Sequence, residues 1–143
     1  MDVAIGEINV RAHGTRAYIP IHRHPYYAAL SEWNPAIYRE YIKRSSYQSS
    51  KPSGSWMGFV ELVRSLYIRG LASSADDQIQ IVKTRTGWNC RHGKHRACIL
   101  RFLFGPHATL RIEDGRVVGV QTNSADRPLQ HIRTLAFLLM HPA

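Results

Sequence analysis

The sequence predicts an α+β fold, because segments with helical and with strand periodicity follow one another along a chain of 143 residues. Apolar side chains recur at helical spacing in residues 56–67 and fill most of residues 94–104, which is typical of helices that face a core. Residues 109–120 instead alternate apolar and polar side chains around an Asp-Gly turn, as a β-hairpin does. We therefore expect helices and a sheet to share one core.

The composition fits one folded domain. Apolar residues make up 44% of the chain and charged residues 20%, which are values typical of globular proteins. We expect a single domain over residues 1–143, with its core in about 5–120 and a C-terminal helix over about 129–140. The amino terminus has neither a basic flank nor a long apolar run, which predicts a cytoplasmic protein without a membrane anchor.

The first half of the chain predicts two strands followed by two helices. Residues 5–10 alternate weakly in polarity, and a proline holds residues 18–22 extended. A short helix is expected over 25–30. A longer one is expected over 35–44, with Asn34 as its cap and a proline at its first position.

The second half predicts further helices and strands, and the sheet is a candidate packing surface for its final helix. The expected elements are a polar loop over 45–54, a helix over 56–69, strands near 79–81 and 88–90, a helix over 94–104, a hairpin over 109–120 and the helix over 129–140.

The net charge of +9 favours anionic partners such as nucleotides or phosphorylated metabolites. The basic residues are spread along the chain, and no run of five or more forms a tail. A nucleic-acid groove is therefore possible but not favoured.

Residues 88–100 carry the strongest functional pattern. Gly93 follows a predicted strand and precedes a helix that begins with Lys94, His95 and Arg96. Glycine permits close backbone approach, the first turn of a helix offers amide donors, and the cations neutralise phosphate charge. The pattern predicts phosphate binding by Gly93, Lys94 and Arg96, with His95 or His92 positioning an oxygen or transferring a proton.

The same stretch admits a second interpretation, because Cys90, His92, His95 and Cys98 are all potential zinc ligands. A strand, turn and helix would direct the two cysteines to different sides of the fold, so we expect packed thiols and no metal site. Residues 18–22 suggest that His22 and His24 share one face of a strand. Those two imidazoles either line the predicted phosphate site or have hydrogen-bond partners elsewhere.

No acidic residue is fixed as a general base by the sequence. Asp76 and Asp77 precede a strand as connector residues, Glu61 lies opposite an apolar helix face, and residues 113–115 form a turn. Among the aromatic residues, Trp56, Phe59 and Tyr67 have the spacing of a buried helical stripe. Trp33 and Trp88 remain open between a core role and base stacking.

The order of these motifs resembles the ParB N-terminal domains and sulfiredoxins. The matching residues are Leu62-Val63-Arg64-Ser65-Leu66, Gly70-Leu71, Ile79-Gln80-Ile81-Val82 and the stretch from Cys90 to Ala97. The stretch His92-Gly93-Lys94-His95-Arg96-Ala97 is most similar to uncharacterised small bacterial proteins with Asp-Gly-x-His-Arg-Ala before an apolar helix. Further matches to that group are Tyr18-Ile19-Pro20-Ile21, His24-Pro25-Tyr26, Ile37-Tyr38 and Tyr41.

The resemblance implies a small mixed sheet flanked by helices and a nucleotide, namely ATP, ADP or CTP, bound over the motif helix, with magnesium in some relatives. Lys94 and His92 stand where relatives place acidic residues, which favours phosphate binding over magnesium-assisted chemistry. Lys94 also replaces the cysteine that sulfiredoxins use, so sulfinic-acid reduction is not expected.

The sequence therefore predicts a nucleotide- or phosphate-binding protein, with phosphotransfer or nucleotide hydrolysis on a small metabolite as candidate reactions. A non-catalytic module that binds nucleic acid or protein is the alternative. A third candidate is a relative that kept the fold and lost its activity.

Overall fold

A computed structural model describes residues 1–12, 16–45, 55–71, 79–122 and 127–141. Within these residues, seven strands form one mixed sheet and five α-helices pack around a shared core, which confirms the α+β prediction. Most of the predicted polar loop over 45–54, together with Asp76 and Asp77, lies outside the described residues.

The sheet has the strand order β1-β6-β7-β4-β5-β2-β3, and β2 and β5 are its only parallel neighbours among the described residues. The other neighbours are antiparallel. The strands are β1 (Asp2–Ala4), β2 (Ile8–Arg11), β3 (Tyr18–Pro20), β4 (Gln80–Thr84), β5 (Gly87–His92), β6 (Thr109–Glu113) and β7 (Arg116–Gln121).

The predicted strand over 5–10 is wrong in its first half. Ile5–Glu7 is a 3-10 turn that separates β1 from β2. The turn is tied down by hydrogen bonds from the Ile5 amide to Ala108 and from the Gly6 amide to Pro106. A β-carbon on Gly6 would lie only 3.1 Å from the Pro106 carbonyl oxygen, which explains a glycine at this close approach.

The helices begin and end close to the predicted positions. They are α1 (Pro25–Ser31), α2 (Pro35–Ser45), α3 (Trp56–Arg69), α4 (Lys94–Phe104) and α5 (Arg127–Met140). Asn34 Oδ1 accepts a hydrogen bond from the Ala36 amide, and Ser55 Oγ accepts one from the Gly58 amide. Side-chain caps of this kind satisfy amides that have no acceptor inside the helix.

The helix α4 lies at the centre of the core, because α1, α3 and α5 all pack against it. Residues from Ala97 to Leu100, with Phe102 and Leu103, are buried in this core. The sheet is not the main packing surface of the final helix: α5 packs mainly on α4, where Phe137 and Phe102 meet edge to face at 5.2 Å.

None of the described helices has the length and apolar character needed to cross a lipid bilayer.

Candidate functional site

The ammonium group of Lys94, the first residue of α4, is partly buried between two tyrosine rings. Its Nζ lies 5.3 Å from the centroid of the Tyr26 ring and 5.4 Å from that of Tyr41. It donates hydrogen bonds to the Tyr41 hydroxyl at 3.1 Å and to the Arg11 carbonyl oxygen at 3.3 Å. Aromatic faces and neutral oxygens thus replace part of the water around this charge.

No carboxylate contacts Lys94 within the part of the chain that the structure describes. Burial lowers the pKa of this lysine. Cys98 and Cys90 oppose this shift with smaller effects, and the positive charge of Arg11 adds the smallest lowering. The protein therefore holds a cation in a place that disfavours the charged form.

His24 and Lys94 are connected by hydrogen bonds to the same group, the hydroxyl of Tyr41. The His24 Nδ1 accepts a hydrogen bond from the Tyr26 amide at 3.0 Å and so caps α1. Because Nδ1 is the acceptor, the neutral ring carries its proton on Nε2 and donates it to the Tyr41 hydroxyl at 3.2 Å. One phenolic oxygen thus accepts from both His24 and Lys94.

His24 is fully buried, and its environment keeps it neutral. Burial lowers its pKa to about 3, with the charges of Lys94 and His95 acting in the same direction. A neutral imidazole is the state that can accept from the Tyr26 amide and donate to Tyr41. Its charge state and its capping role therefore depend on each other.

His95 lies on the same side of the site, stacked on the Tyr26 ring at 4.1 Å between centroids. Its Nε2 is 3.3 Å from the hydroxyl of Tyr38, which is a fully buried residue of α2. The His95 ring also forms a T-shaped pair with Phe59 of α3, 5.6 Å between centroids. Three helices thus fix the orientation of this imidazole.

The remaining predicted site residues occupy different surroundings. Gly93 adopts a left-handed conformation, with φ 85° and ψ 34°, and directs the chain from β5 into α4. Arg96 is partly exposed in the first turn of α4. His92 ends β5 with an exposed side chain, whereas His95 is stacked on the Tyr26 ring.

The two cysteines are buried free thiols, as the sequence predicted. Burial raises the pKa of Cys90 to about 12 and also raises the pKa of Cys98. Cys90 Sγ donates a hydrogen bond to the His92 carbonyl oxygen at 3.1 Å, so the thiol has its partner within its own strand. Among the described residues, no three His, Cys, Asp or Glu side chains are grouped so as to hold a metal ion.

The prediction that His22 and His24 share a strand face is wrong. Strand β3 ends at Pro20, and Ile21–Arg23 forms a 3-10 turn that leaves His22 exposed while His24 enters the core. The tight turn places the two imidazoles in different environments. Only His24 belongs to the site.

Two predictions about aromatic side chains can be compared with the structure. Trp56 and Phe59 are buried, as expected for a core stripe, and Tyr67 is partly buried and hydrogen-bonds His131. Trp88 is partly buried with the Lys83 ammonium over its ring. Trp33 lies edge-on to Phe137 and is 37% exposed.

A shallow surface depression of about 460 Å³ adjoins the site. Tyr41 belongs to both, because its ring lines the depression and its hydroxyl contacts Lys94. The other lining residues, mostly apolar, are Pro25, Ala36, Ile37, Glu40 and Arg44.

Sequence reasoning missed the tyrosines that surround Lys94 and His95. Tyr38 and Tyr41 lie one helical turn apart on α2, and this spacing places them on one face. Nothing in the sequence around this face indicates that residues more than fifty positions later, Lys94 and His95, complete the group.

A scan against protein-family models, a search of curated proteins and a search of solved structures each found no match to this chain. The relationship to ParB domains and sulfiredoxins therefore stays a prediction from the motif.

Proposed function

We propose that this protein binds the phosphate group of a small organic phosphate, such as a nucleotide, at the amino end of α4. The observation that carries the proposal is the partly buried ammonium group of Lys94, which no described carboxylate contacts. Burial of an unpaired charge is costly, and such a cost persists where function requires the charge. A bound anion would supply the missing counter-charge.

The start of α4 places hydrogen-bond donors close to the Lys94 ammonium group. The first amides of a helix have no acceptor inside the helix, and Gly93 has no side chain with which to cap them. The helix dipole favours an anion at the same end. Arg96, in the first turn, provides a guanidinium group that fits phosphate oxygens bidentately.

The depression beside Tyr41 favours an organic phosphate over a free inorganic ion. Its apolar lining by Pro25 and Ile37 suits a ring or an aliphatic group, and Tyr41 connects it to Lys94. A ligand with a phosphate at Lys94 and an organic group against Tyr41 would use both. Nucleotides such as ATP, ADP and CTP have this combination.

The described residues do not fit a magnesium ion at this position. Magnesium prefers carboxylate oxygens, and the described neighbours of Lys94 are a phenol, two aromatic rings and a backbone carbonyl. Phosphate charge at this site is instead balanced by side-chain cations. Because Lys94 must stay protonated to balance the phosphate charge, proton transfer during phosphotransfer or hydrolysis falls to His95.

Thermal unfolding with ATP, ADP, CTP, GTP and inorganic phosphate, each with and without magnesium, tests the proposal. At least one nucleotide should raise Tm more than inorganic phosphate does, because a ligand that binds only the folded state stabilises it. The response should not need magnesium. Turnover of the stabilising nucleotide then shows whether binding leads to chemistry.

Calorimetric titration of variants locates the site. Lys94→Met and Arg96→Ala should each lose at least tenfold in affinity, whereas the control Lys83→Met, which removes an exposed lysine of β4, should not. Absence of any nucleotide response, or unchanged affinity in Lys94→Met, would contradict the proposal. Steeply salt-dependent DNA binding without a nucleotide response would support the binding-module alternative.

A further inference from the structure

The helix α5 presents an apolar face to solvent. Thr134 and Phe137 are buried on its inner face, yet large apolar side chains on its outer face are open to solvent. These outer-face residues are Leu129 (69% exposed), Ile132 (64%), Leu135 (41%), Leu139 (79%) and Met140 (65%). A helix that is apolar on both faces is typical of a helix buried on both sides.

The outer residues follow the spacing of a helix–helix seam. Leu129, Ile132, Ala136 and Leu139 are separated by three, four and three positions, which is the a/d pattern of a heptad repeat. Ala136 is small, so a second helix can approach closely at this point. The outer face thus has the pattern of a surface that packs against another helix.

The charged residues of α5 do not interrupt this face. Arg127 is at the beginning of the helix, and the guanidinium of Arg133 is turned inward, 4.6 Å from the centroid of the Phe102 ring. The helix contains no acidic residue. The lack of charge along the seam favours an apolar partner over a charged one.

The area of the face fits a pair of identical chains. The five outer side chains expose about 500 Å² of apolar surface, close to the upper end of the largest apolar patch on a typical monomer. Two copies would bury at most about 1,000 Å² in total from these side chains, which is near the lower bound for a specific interface.

We propose that α5 pairs, through its outer face, with α5 of a second copy of this chain in an antiparallel arrangement, with the two-fold axis crossing the helix at the level of residue 134. This register sets Leu129 of one copy against Leu139 of the other, and Ile132 against Ala136. Large side chains then face small ones at the centre and large ones face each other at the ends. A two-fold pair is also the commonest symmetric assembly of soluble proteins.

Light scattering of the full chain after gel filtration tests the proposal. The protein should have the mass of two chains, and Ile132→Glu should have the mass of one while keeping its helical circular dichroism. The control Met57→Glu changes another exposed apolar helix residue and should remain dimeric. A monomeric wild type, or a dimeric Ile132→Glu, would overturn the proposal.

A charge-pair experiment tests the register. Leu129→Lys and Leu139→Glu should each be monomeric alone, and an equimolar mixture should form a mixed dimer, because the antiparallel pairing brings the new lysine to the new glutamate. Failure of the mixture to pair would overturn the antiparallel register. If the wild type is monomeric and binds anionic vesicles with an affinity that falls with salt, the face belongs to a lipid surface and the dimer is excluded.

Discussion

The two halves of α4 differ in what surrounds them. The first turn contains Lys94, His95 and Arg96, which are all partly exposed. Lys94 and His95 contact tyrosines from α1 and α2. In the following turns, Cys98 and Phe102 are fully buried in the hydrophobic core. One helix thus joins a cationic site to the centre of the core.

This difference shows two ways in which the surroundings of a helix determine which side chains it can carry. The buried half is specified by its own apolar composition, because any core of the right volume accepts it. The polar half depends on particular partners, since a buried polar group without its hydrogen bonds costs stability. We therefore expect substitutions in the buried half to alter stability, and those in the polar half to alter charge state and binding.

The largest effect is expected from Phe102→Ala. The ring is fully buried against Phe137, so its removal should leave a cavity and cost about 3–5 kcal/mol of unfolding free energy. Urea denaturation measures this loss. The matched variant Phe104→Ala removes a partly exposed ring from the same helix and should cost clearly less. Equal costs would show that burial does not distinguish the two positions.

The buried half of α4 was also the part that the sequence predicted best. Its boundaries at residues 94 and 104 agree with the structure, because a glycine on each side marks the ends of an apolar run. The packing partner of α5 was not predicted, since periodicity shows which residues face inward and not which element they meet. The polar half was predicted as a cationic helix start, but its tyrosine partners depend on contacts distant in sequence.

The next largest effect concerns pH and His24. Its pKa is about 3 in the folded protein and 6.5 ordinarily, so the unfolded chain takes up a proton first as the pH falls. Stability should therefore fall between about pH 6.5 and pH 3, by roughly 3–5 kcal/mol for this group. His24→Asn keeps a capping oxygen and should flatten that part of the profile of unfolding free energy against pH.

The readout is the difference between the two pH profiles, because carboxylates titrate in both proteins. Parallel profiles for the wild type and His24→Asn would show that folding does not lower the pKa of His24. The hydrogen bond from the Tyr26 amide would then need another explanation.

A smaller effect is expected at the turn that begins the polar half. Gly93 has φ +85°, and a β-carbon in this left-handed conformation costs about 1–2 kcal/mol. Gly93→Ala should lose about that much in urea denaturation. Gly119→Ala serves as the control, because its backbone is not left-handed and nothing lies within 4 Å of the added β-carbon. Equal effects at both glycines would contradict a conformational requirement at Gly93.

Thermal unfolding of Lys94→Met without ligand tests the central claim most directly. The folded protein disfavours the charged form of Lys94 at pH values below its lowered pKa, so removal of the charge relieves that cost. Methionine keeps an apolar stem between Tyr26 and Tyr41. Lys94→Met should unfold at a Tm equal to or above that of the wild type, and its Tm should not rise with nucleotide. A lower Tm without ligand, together with a preserved nucleotide response, would show that Lys94 has a structural role and that the anion site lies elsewhere.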